Sequence, residues 1–536
     1  MDSSPAGEPR SARSISKVRF ALRPAWLLLA LACGLSACGG GSGGSTSASS
    51  GQVDNSGHNL PPPPPPPPTP DATGSTEPMG RWSEVFPWPQ VAIHLHLLPN
   101  GKVMSWQSES DAEDHAPGRL ANTRAYVVDI PDGGAPQNPV FVPNTQSNLF
   151  CGGHTFLPDG RLFVTGGDFG GAVGIPDTNI FDYRNNTWQR VGDMNAGRWY
   201  PSTMTLANGD VLTVSGLIDL ERGHNLIPQV WNPVSGWRDL SGASRYVELY
   251  SPLHLAPNGK VFMSGSDVQT MYLDTSGTGK WSEVAYHNHE IWRDYAPSVI
   301  YDNGKVIVMG GGDPPVNTVE TIDLNEAAPK WKWGKPMALA RRHHNATIMA
   351  DGKILVTGGT SSDGFNDATK AALAAESWDP KTGEWTTMAS MKIPRVYHST
   401  ALLLPDGRVL STGGGQPAPV NGVNNLDAEI YSPPYLFNGP RPVIASAPAT
   451  VRYGQRFTVE TPDAANVVKA TWIRLSSVTH TFNMNQRINH LPVQTTTGGL
   501  SIVAPSDPNL TPPGHYMLFL INAKGVPSVA KIVQIL

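Results

Sequence analysis

The chain repeats one pattern of apolar and polar positions seven times. In each copy a short apolar run is followed by Asn-Gly or Asp-Gly, and then by alternating apolar residues that end near another glycine, as from Leu157 to Gly167. Asn-Gly or Asp-Gly between such runs predicts a β-hairpin, and we expect type I′ turns with positive φ at both central residues. The turn glycines are Gly101, Gly160, Gly209, Gly259, Gly304, Gly352 and Gly407.

The spacing of these glycines, about 50 residues, is the kelch period, and seven units of four strands predict a seven-bladed β-propeller. We place this propeller at residues 79–438. A tryptophan follows most of the hairpins and is expected to pack between neighbouring blades. These tryptophans are Trp188, Trp237, Trp281, Trp331 and Trp385.

The pattern changes after Tyr431. Short β-type runs, such as Arg456 to Val459 and Tyr516 to Ile521, alternate with Pro/Gly turns. Roughly seven strands in so short a segment indicate an immunoglobulin-like β-sandwich, which we place at residues 439–536. The predicted fold class is therefore all-β, with a seven-bladed kelch-type propeller followed by an immunoglobulin-like sandwich.

Residues 1–38 have the pattern of an export signal. Basic residues precede an apolar run from Ala25 to Leu35, which is too short to span a bilayer permanently. The run ends in Leu35-Ser-Ala-Cys38, which resembles the bacterial lipoprotein cleavage box and predicts lipidation of Cys38. A conventional signal peptide cleaved after Ala37 is the alternative. We expect an exported protein that is lipid-anchored to the bacterial membrane or cell surface, or otherwise secreted or periplasmic.

Residues 39–78 are rich in Gly, Ser and Pro and include eight consecutive prolines, Pro61 to Pro68. This composition cannot bury a core, so it predicts a disordered linker with a stiff polyproline spacer. The net charge of the chain is −5 and its basic residues are scattered, which argues against nucleic acid as a partner. We expect membrane contact only through the lipid anchor, and a monomer.

Cys151 is the one ordinary cysteine left after the signal region. A lone thiol in an oxidising compartment is prone to oxidation, so the cysteine is either buried and inert or covalently linked to another group. Segments that precede successive hairpins of a propeller converge at one face. Three sequence motifs, two in such segments and one in the C-terminal domain, favour a covalently modified cysteine. They are Arg198-Trp-Tyr200-Pro-Ser, Arg395-Val-Tyr397-His398-Ser and Thr479-His480-Thr-Phe-Asn. Two imidazoles and two phenolates form a set of N and O donors suited to Cu(II).

From about residue 80 to the C-terminus, the chain resembles the galactose oxidase/glyoxal oxidase family of copper radical oxidases, and its phrases are closer to the glyoxal oxidase branch. The resemblance implies a thioether between Cys151 and the ring of Tyr200, a Cys–Tyr pair that carries a protein radical. It implies Cu(II) bound by Tyr200, axial Tyr397, His398 and His480, the last delivered by a loop of the C-terminal domain. The implied reaction is a two-electron oxidation of a small aldehyde, as its hydrate, or of a primary alcohol. In it, O2 is reduced to H2O2 and Tyr397 takes the substrate proton.

Several other residues are assigned by their position. Candidates for the pocket around the site are His154, which follows Cys151, and Arg198, His343 and His344, which precede their hairpins. His94 and His96 alternate on one face of a strand and are interpreted as structural. His287 and His289 are interpreted as surface loop residues, and Trp199 as a packing residue.

One departure from galactose oxidase concerns the tryptophan that covers the modified tyrosine there. The corresponding segment, residues 215–219, has no tryptophan. Its absence argues against galactose as the substrate and leaves open which aromatic side chain shields the radical.

The alternative function is a non-catalytic, glycan-binding kelch propeller that serves in adhesion at the cell surface. It predicts no need for copper and no production of peroxide. A structural role supported by the proline stalk is a third hypothesis. Both are disfavoured by the complete set of copper ligands, because a vestigial site should have lost at least one of them.

Overall fold

The computed structural model describes residues 77–107, 122–131, 135–415 and 424–536, which all belong to the unit formed by residues 59–536. The predicted signal region, the predicted lipidation site Cys38 and nearly all of the predicted linker lie outside the described residues. Where the chain is described, helix is limited to the short 3-10 turns Ser241–Ala243, Pro434–Phe437 and Ala464–Asn466. No helix there has the length and apolar character needed to cross a membrane.

The predicted hairpins are present, but their turns are not of type I′. Each turn glycine has positive φ, from 70° to 94°, whereas the Asn or Asp before it does not. In the first turn the Gly101 N–H donates to Leu98 O at 2.9 Å, and the Leu98 N–H donates to Lys102 O at 2.9 Å. This is a type I turn followed by a left-handed glycine. The Asn or Asp is favoured because its side chain accepts a backbone N–H two residues on, as Asp159 does from Arg161 at 3.1 Å.

Seven antiparallel sheets of the described chain form the blades, which confirms the seven-bladed propeller. Blade 1 comprises His94–Leu97, Val103–Trp106, Ala125–Asp129 and Gln137–Phe141, and blade 2 comprises Gly153–Phe156, Leu162–Thr165, Thr178–Asp182 and Thr187–Val191. Blade 3 comprises Ser202–Thr205, Val211–Val214, Gln229–Asn232 and Gly236–Asp239, and blade 4 comprises Leu253–Leu255, Val261–Met263, Gln269–Asp274 and Lys280–Tyr286. Blade 5 comprises Ser298–Asp302, Lys305–Met309, Val319–Asp323 and Lys332–Trp333, and blade 6 comprises Arg342–Ile348, Ile354–Thr360, Ala374–Asp379 and Glu384–Ser390.

Blade 7 joins the two ends of the propeller. Its inner strands are Ser399–Leu403, Val409–Gly413 and Asp427–Ser432, and its outer strands, Arg81–Trp82 and Phe86–Pro87, come from the start of the described chain. Arg81 pairs with Ser432 and Phe86 with Ala428. The ring is therefore closed by main-chain hydrogen bonds between segments about 350 residues apart, which leaves no open sheet edge at this point.

Aromatic side chains pack between the blades, as the sequence predicts. The rings of Trp106 in blade 1 and Trp188 in blade 2 are 6.1 Å apart, and those of Tyr301 in blade 5 and Trp378 in blade 6 are 4.9 Å apart. An additional hairpin, Leu217–Asp219 with Gly223–His224, lies between the second and third strands of blade 3.

The C-terminal domain is a sandwich of two sheets. One contains Thr450–Val451, Lys531–Ile535, Gly514–Asn522, Val467–Arg474 and Ile488–Leu491, and the other contains Arg456–Glu460, Gly499–Val503 and Val493–Thr496. The boundary placed at residue 438 falls in the connection between the last propeller strand and the first sandwich strand.

A finger of the C-terminal domain inserts into the propeller. Its strands Ser477–Thr479 and Phe482–Asn483 extend the sheet of blade 1, where Thr479 pairs with His94 and Ser477 with His96. Gln486 further along accepts the Ile348 N–H of blade 6 at 3.0 Å. The finger is thus fixed to two blades by main-chain and side-chain hydrogen bonds, and His480 lies within it.

Four blades contain a buried arginine that ties neighbouring strands together. Each guanidinium donates to a backbone carbonyl at the end of the second strand and to a side chain of the third. The pairs with the side chain are Arg198 with Gln229, Arg293 with Glu320, Arg341 with Glu376 and Arg395 with Asp427. Three of the four partners are carboxylates, which neutralise the buried charge.

The interpretation of His287 as a surface loop residue is wrong. Its imidazole is buried against Trp331, with ring centroids 4.1 Å apart, and both of its nitrogens face acceptors. Nδ1 lies 3.1 Å from the Glu320 carboxylate and Nε2 lies 3.0 Å from Ser264 O. The position of His287 in a loop suggests exposure, but a loop residue can be buried where an interior carboxylate, here that of Glu320, accepts its hydrogen bond.

Replacing Glu320 by glutamine is expected to lower the free energy of unfolding at neutral pH by about 3 kcal/mol. Burial raises the pKa of Glu320, but bonds and charges from His287, Arg293 and Asn288 outweigh it and lower the pKa to about 2. A carboxyl with a depressed pKa stabilises the fold above its unfolded value, about 4.3, and this contribution is lost as the pH falls toward 2. Urea denaturation across that window should show the difference between wild type and variant shrinking.

The control is Glu384→Gln, because Glu384 pairs with Lys335 at the surface, where such a pair contributes less than about 1 kcal/mol. Equal stability of the Glu320 variant and wild type at neutral pH would contradict the assignment of a charged Glu320.

Candidate metal centre

One backbone position recurs in six successive blades and presents a side chain to a common centre. It lies nine residues before the turn glycine of its blade and has a left-handed φ between 48° and 65°. A non-glycine residue in this region costs about 1–3 kcal/mol and persists only where the surroundings hold it. The residues at this position in blades 2 to 7 are Cys151, Tyr200, Tyr250, Tyr295, His343 and His398.

Main-chain hydrogen bonds link these positions from blade to blade. The Tyr200 N–H donates to Cys151 O at 2.9 Å, and the Tyr250 N–H donates to Tyr200 O at 3.0 Å. His480, in the finger, also has a left-handed φ of 47°. The strained positions are therefore supported by one another, and the finger completes the group.

The two imidazoles His398 and His480 present unprotonated nitrogens to each other. His398 Nδ1 is 2.8 Å from Gly415 O, which can only accept, so the ring proton is on Nδ1 and Nε2 is free of it. Thr479 donates its hydroxyl to Ile93 O, so His480 Nδ1, 2.6 Å from that hydroxyl, donates its own proton. The two Nε2 atoms are 2.8 Å apart. Two lone pairs that converge in this way are suited to a shared cation.

Two phenol oxygens lie beside these nitrogens. The Tyr200 hydroxyl is 3.0 Å from His480 Nε2 and in direct contact with the Tyr397 hydroxyl. Burial raises the pKa of both phenols well above the ordinary value, and burial lowers the pKa of His480 well below it. All these groups are thus neutral unless a cation is present, and a metal ion would favour the phenolates. The two nitrogens and two oxygens fit the donor preference of Cu(II).

Cys151 adjoins the same cluster. Its side chain is fully buried with those of Tyr200 and Tyr250, and its Sγ lies 3.7 Å from His480 Nε2. Burial raises the pKa of the thiol, and a hydrogen bond with Tyr200 opposes this shift. The arrangement therefore places a protonated thiol in contact with a tyrosine at the edge of the candidate metal-binding group.

Comparison with known proteins agrees with this geometry. Over 502 residues the chain is 30% identical to galactose oxidase of Gibberella zeae, and the match covers 85% of this chain and 71% of that protein. The chain belongs to the galactose oxidase/glyoxal oxidase family. It is also 34% identical to "Aldehyde oxidase GLOX1" of Arabidopsis thaliana, over 73% of this chain and 72% of that protein.

Two family descriptions and one solved structure extend the match. "Galactose oxidase-like, Early set domain" matches residues 441–535, and "Glyoxal oxidase N-terminus" matches residues 313–435. The structure of a "novel fungal alcohol oxidase with catalytic diversity among the AA5 family, in complex with copper" superposes with a TM-score of 0.77 at 29% identity. The superposition covers 85% of this chain and 99% of that one.

Two tyrosines of the site are missing from the sequence-based set. The ring of Tyr250 lies 4.6 Å from that of Tyr200 and 4.8 Å from that of His480, and its hydroxyl donates to Gly152 O at 2.9 Å. The ring of Tyr295 lies 5.7 Å from that of Tyr397, measured between centroids. Both could be found in the sequence, because each lies nine residues before its turn glycine.

The aromatic cover over Tyr200 comes from the residue before it. The rings of Trp199 and Tyr200 are 4.0 Å apart and inclined by 63°. Trp199 thus packs on Tyr200, in agreement with its interpretation as a packing residue. Trp199 therefore supplies an aromatic contact to Tyr200, whereas residues 215–219 contain no tryptophan.

Of the four pocket candidates, one adjoins the tyrosines directly. The His343 ring is 5.3 Å from that of Tyr397 and 4.3 Å from that of Tyr295. His344, next in sequence, points elsewhere, since a methyl group at Gly310 of blade 5 would lie 2.7 Å from its Cε1. His154 contacts His94 at 3.0 Å and is separated from Cys151 by it.

Arg198 does not fit the expectation that it lines the pocket. Its guanidinium is fully buried within blade 3 and donates to Ser215 O at 2.6 Å, Ile227 O at 2.6 Å and Gln229 at 3.1 Å. The residue is one of the four strand-tying arginines. Tyr200, two residues further on, reaches the site from a left-handed backbone position with a φ of 62°.

Proposed function

We propose that this chain is an exported copper radical oxidase. In this proposal it oxidises a small aldehyde, as its hydrate, or a primary alcohol by two electrons and reduces O2 to H2O2. The observation that carries the proposal is the convergence of two unprotonated imidazole nitrogens with two phenol oxygens, all buried. Relatives named as a galactose oxidase, an aldehyde oxidase and a copper-complexed alcohol oxidase support it.

In this proposal Tyr200, Tyr397, His398 and His480 are the copper ligands. A bound Cu(II) would supply one-electron redox chemistry and a Lewis acid for a substrate oxygen. His398 and His480 are held in the required tautomer by Gly415 O and the Thr479 hydroxyl, so neither has to lose a proton on binding. The complete donor set disfavours the alternative of a non-catalytic glycan-binding propeller.

Tyr397 takes the proton from the substrate hydroxyl. Its phenol oxygen contacts that of Tyr200, and a hydrogen bond from Tyr295 lowers the pKa that burial raises. Tyr295 therefore stabilises the phenolate form that a base requires. The buried surroundings exclude bulk water, so the proton stays at the Tyr397 oxygen until it is passed on.

Cys151 and Tyr200 are proposed to form the thioether that makes the protein-derived radical cofactor. A sulfur substituent raises the electron density of the phenol ring and lowers the potential at which it is oxidised. Tyr250 and Trp199 enclose the ring on other sides and limit its contact with solvent.

The wall beside Tyr397 is aromatic. The rings of Phe365 and His343 lie 4.6 Å and 5.3 Å from Tyr397, which leaves an aromatic surface beside the proposed proton acceptor. Aldehyde hydrates such as those of glyoxal or methylglyoxal are the first choice, because relatives of the chain are named as aldehyde oxidases, with a glycan primary hydroxyl second. Export and lipidation of Cys38 concern residues outside the described chain and are part of the proposal.

The purified protein should consume O2 and release H2O2 in equal amounts with a small aldehyde, and only when loaded with copper. Removal of copper by a chelator should abolish both signals, and adding copper back should restore them. Galactose is expected to be the poorer substrate. Failure to form peroxide from any aldehyde or primary alcohol at full copper content would contradict the proposal.

A further inference from the structure

The main chain of Cys151 is held by a histidine that takes no part in metal binding. The Cys151 N–H donates to His94 Nε2 at 3.1 Å. Cys151 has a left-handed φ of 59°, a conformation that needs external support in a residue with a side chain. His94 is fully buried, and its ring is stacked on Trp106 with centroids 4.7 Å apart. Its plane is therefore fixed beside the cysteine.

A relay of hydrogen bonds runs from His94 through His154 and Ser477 to His96. The bond from Cys151 to His94 determines which ring nitrogen of each histidine at the start of this relay carries the proton. Because His94 Nε2 accepts, the ring proton is on Nδ1, which lies 3.0 Å from His154 Nε2. His154 Nε2 therefore accepts, and its proton is on Nδ1, 2.6 Å from the Ser477 hydroxyl. The Ser477 hydroxyl then donates to His96 Nδ1 at 3.0 Å, with His154 O as a longer alternative at 3.5 Å.

The relay is neutral throughout and closed to water. His94, His96, His154 and Ser477 are all fully buried. Burial lowers the pKa of His154 to about 3, and it lowers those of His94 and His96 well below the ordinary value. His96 stacks on Trp106 with centroids 4.5 Å apart, as His94 does, so Trp106 restrains the planes of both rings.

The last member of the relay belongs to the finger that carries His480. Ser477 and Thr479 pair with His96 and His94 of blade 1, and Thr479 fixes the tautomer of His480. When the finger is docked, Ser477 is in place to accept from His154, and His480 is in place beside Cys151. Without the finger, the relay ends at an unsatisfied His154 N–H.

We propose that His94 is a positioning residue for cofactor assembly, which holds Cys151 in place for coupling to Tyr200. Ser477 makes this support depend on docking of the finger. The same docking step then delivers a copper ligand and completes the support of the cysteine. The inference rests on the proposed function, because it assumes that the Cys151–Tyr200 thioether forms.

The coupling balances with O2 as the oxidant. A bond forms between Cys151 Sγ and a ring carbon of Tyr200, while the S–H and ring C–H bonds break. The two hydrogens leave as two protons and two electrons, and O2 takes them up to form H2O2. His94 exchanges no electron or proton in this step; it fixes the place of the sulfur.

The test follows cross-linking in full-length protein prepared without copper and then exposed to copper and O2. Mass spectrometry of the peptides that contain Cys151 and Tyr200 gives the linked fraction over time. His94→Ala removes the acceptor and should slow linkage at least about tenfold, the factor expected for a buried N–H left unpaired. His94→Gln, which keeps an acceptor at the Nε2 position, should restore most of the rate. Copper content should be unchanged in both.

A second variant and a control separate positioning from general damage. Ser477→Ala should also slow linkage, because it leaves the His154 N–H unpaired in a folded protein. The control is His254→Gln, which changes another buried histidine bonded to a serine, Ser298, at 2.8 Å. It should cross-link at the wild-type rate.

The outcomes distinguish the inference from the function on which it rests. If wild type with full copper never cross-links, the proposed cofactor is wrong. If wild type cross-links and His94→Ala does so at the same rate, the role of His94 alone is overturned. A wild-type rate in Ser477→Ala would overturn the coupling to the finger. Slowing of His254→Gln to the same extent would show that the effect is general loss of packing.

Discussion

Replacing His480 by alanine is expected to abolish copper binding and oxidase activity together. His480 Nε2 lies 2.8 Å from His398 Nε2 and 3.0 Å from the Tyr200 hydroxyl, so its loss removes one of two imidazole donors from the centre of the group. Groups that only orient a metal ligand contribute about 10–100-fold to affinity, so loss of a ligand should lower copper affinity by more than about 100-fold. Peroxide formation should fall below detection at stoichiometric copper.

Copper content after dialysis, determined by elemental analysis, measures this effect. His490→Ala is the matched control, because His490 is an exposed histidine of the same domain and should leave copper content unchanged. Unaltered copper content in His480→Ala would show that the finger does not supply a ligand. The support of Cys151 through Ser477 and His94 would then be the remaining link between docking of the finger and cofactor assembly.

Cys151→Ala is expected to separate copper binding from catalysis. Cys151 is not among the four proposed ligands, so copper affinity should stay near the wild-type value. Without the thioether, Tyr200 is harder to oxidise, and each rise of about 59 mV in a one-electron potential costs about a factor of ten. We expect kcat to fall by about 1,000-fold, which corresponds to a potential raised by about 180 mV.

Steady-state peroxide assays on copper-loaded protein check this prediction. Cys151→Ser should behave like Cys151→Ala, because it nearly preserves the volume of the side chain but cannot form the thioether. The buried site makes either change a small loss of packing, so the unfolding temperature serves as the control for folding. Unchanged turnover in both variants would remove the thioether from the mechanism.

The propeller could be predicted because its repeat is local. Each Asn-Gly or Asp-Gly hairpin is specified by adjacent residues, and seven copies at one period leave few alternatives. The prediction of type I′ turns is wrong because Asn and Asp are common in hairpin turns for two different reasons. A positive φ is one, and the side-chain bond to the backbone N–H two residues on, seen between Asp159 and Arg161, is the other. The sequence does not distinguish them.

Short sequence motifs predict only part of the site. Cys151, Tyr200, Tyr397, His398 and His480 stand in family-like phrases, but Tyr250 stands in an ordinary one, Leu249-Tyr-Ser. Its role follows from register, since it occupies the same left-handed position as Cys151 and Tyr200. A count from each turn glycine finds it without any resemblance.

Other assignments depended on contacts far apart in sequence. Arg198 was expected in the pocket because it precedes Tyr200, whereas its guanidinium turns into its own blade toward Gln229. His94 and His96 were interpreted as structural from their alternation. Ser477, which bonds His154 and His96, lies 381 residues from His96, so only the folded chain shows the hydrogen bonds that connect His94 to the finger.

The central claim is a copper centre with a cross-linked cysteine–tyrosine cofactor, and the mass of the peptides containing Cys151 and Tyr200 tests it most directly. After loading with copper and O2, we predict one covalently joined species that is lighter by two hydrogens than the sum of the separate peptides. A free thiol and an unmodified tyrosine in protein with full copper content would contradict the account and favour a non-catalytic, glycan-binding propeller.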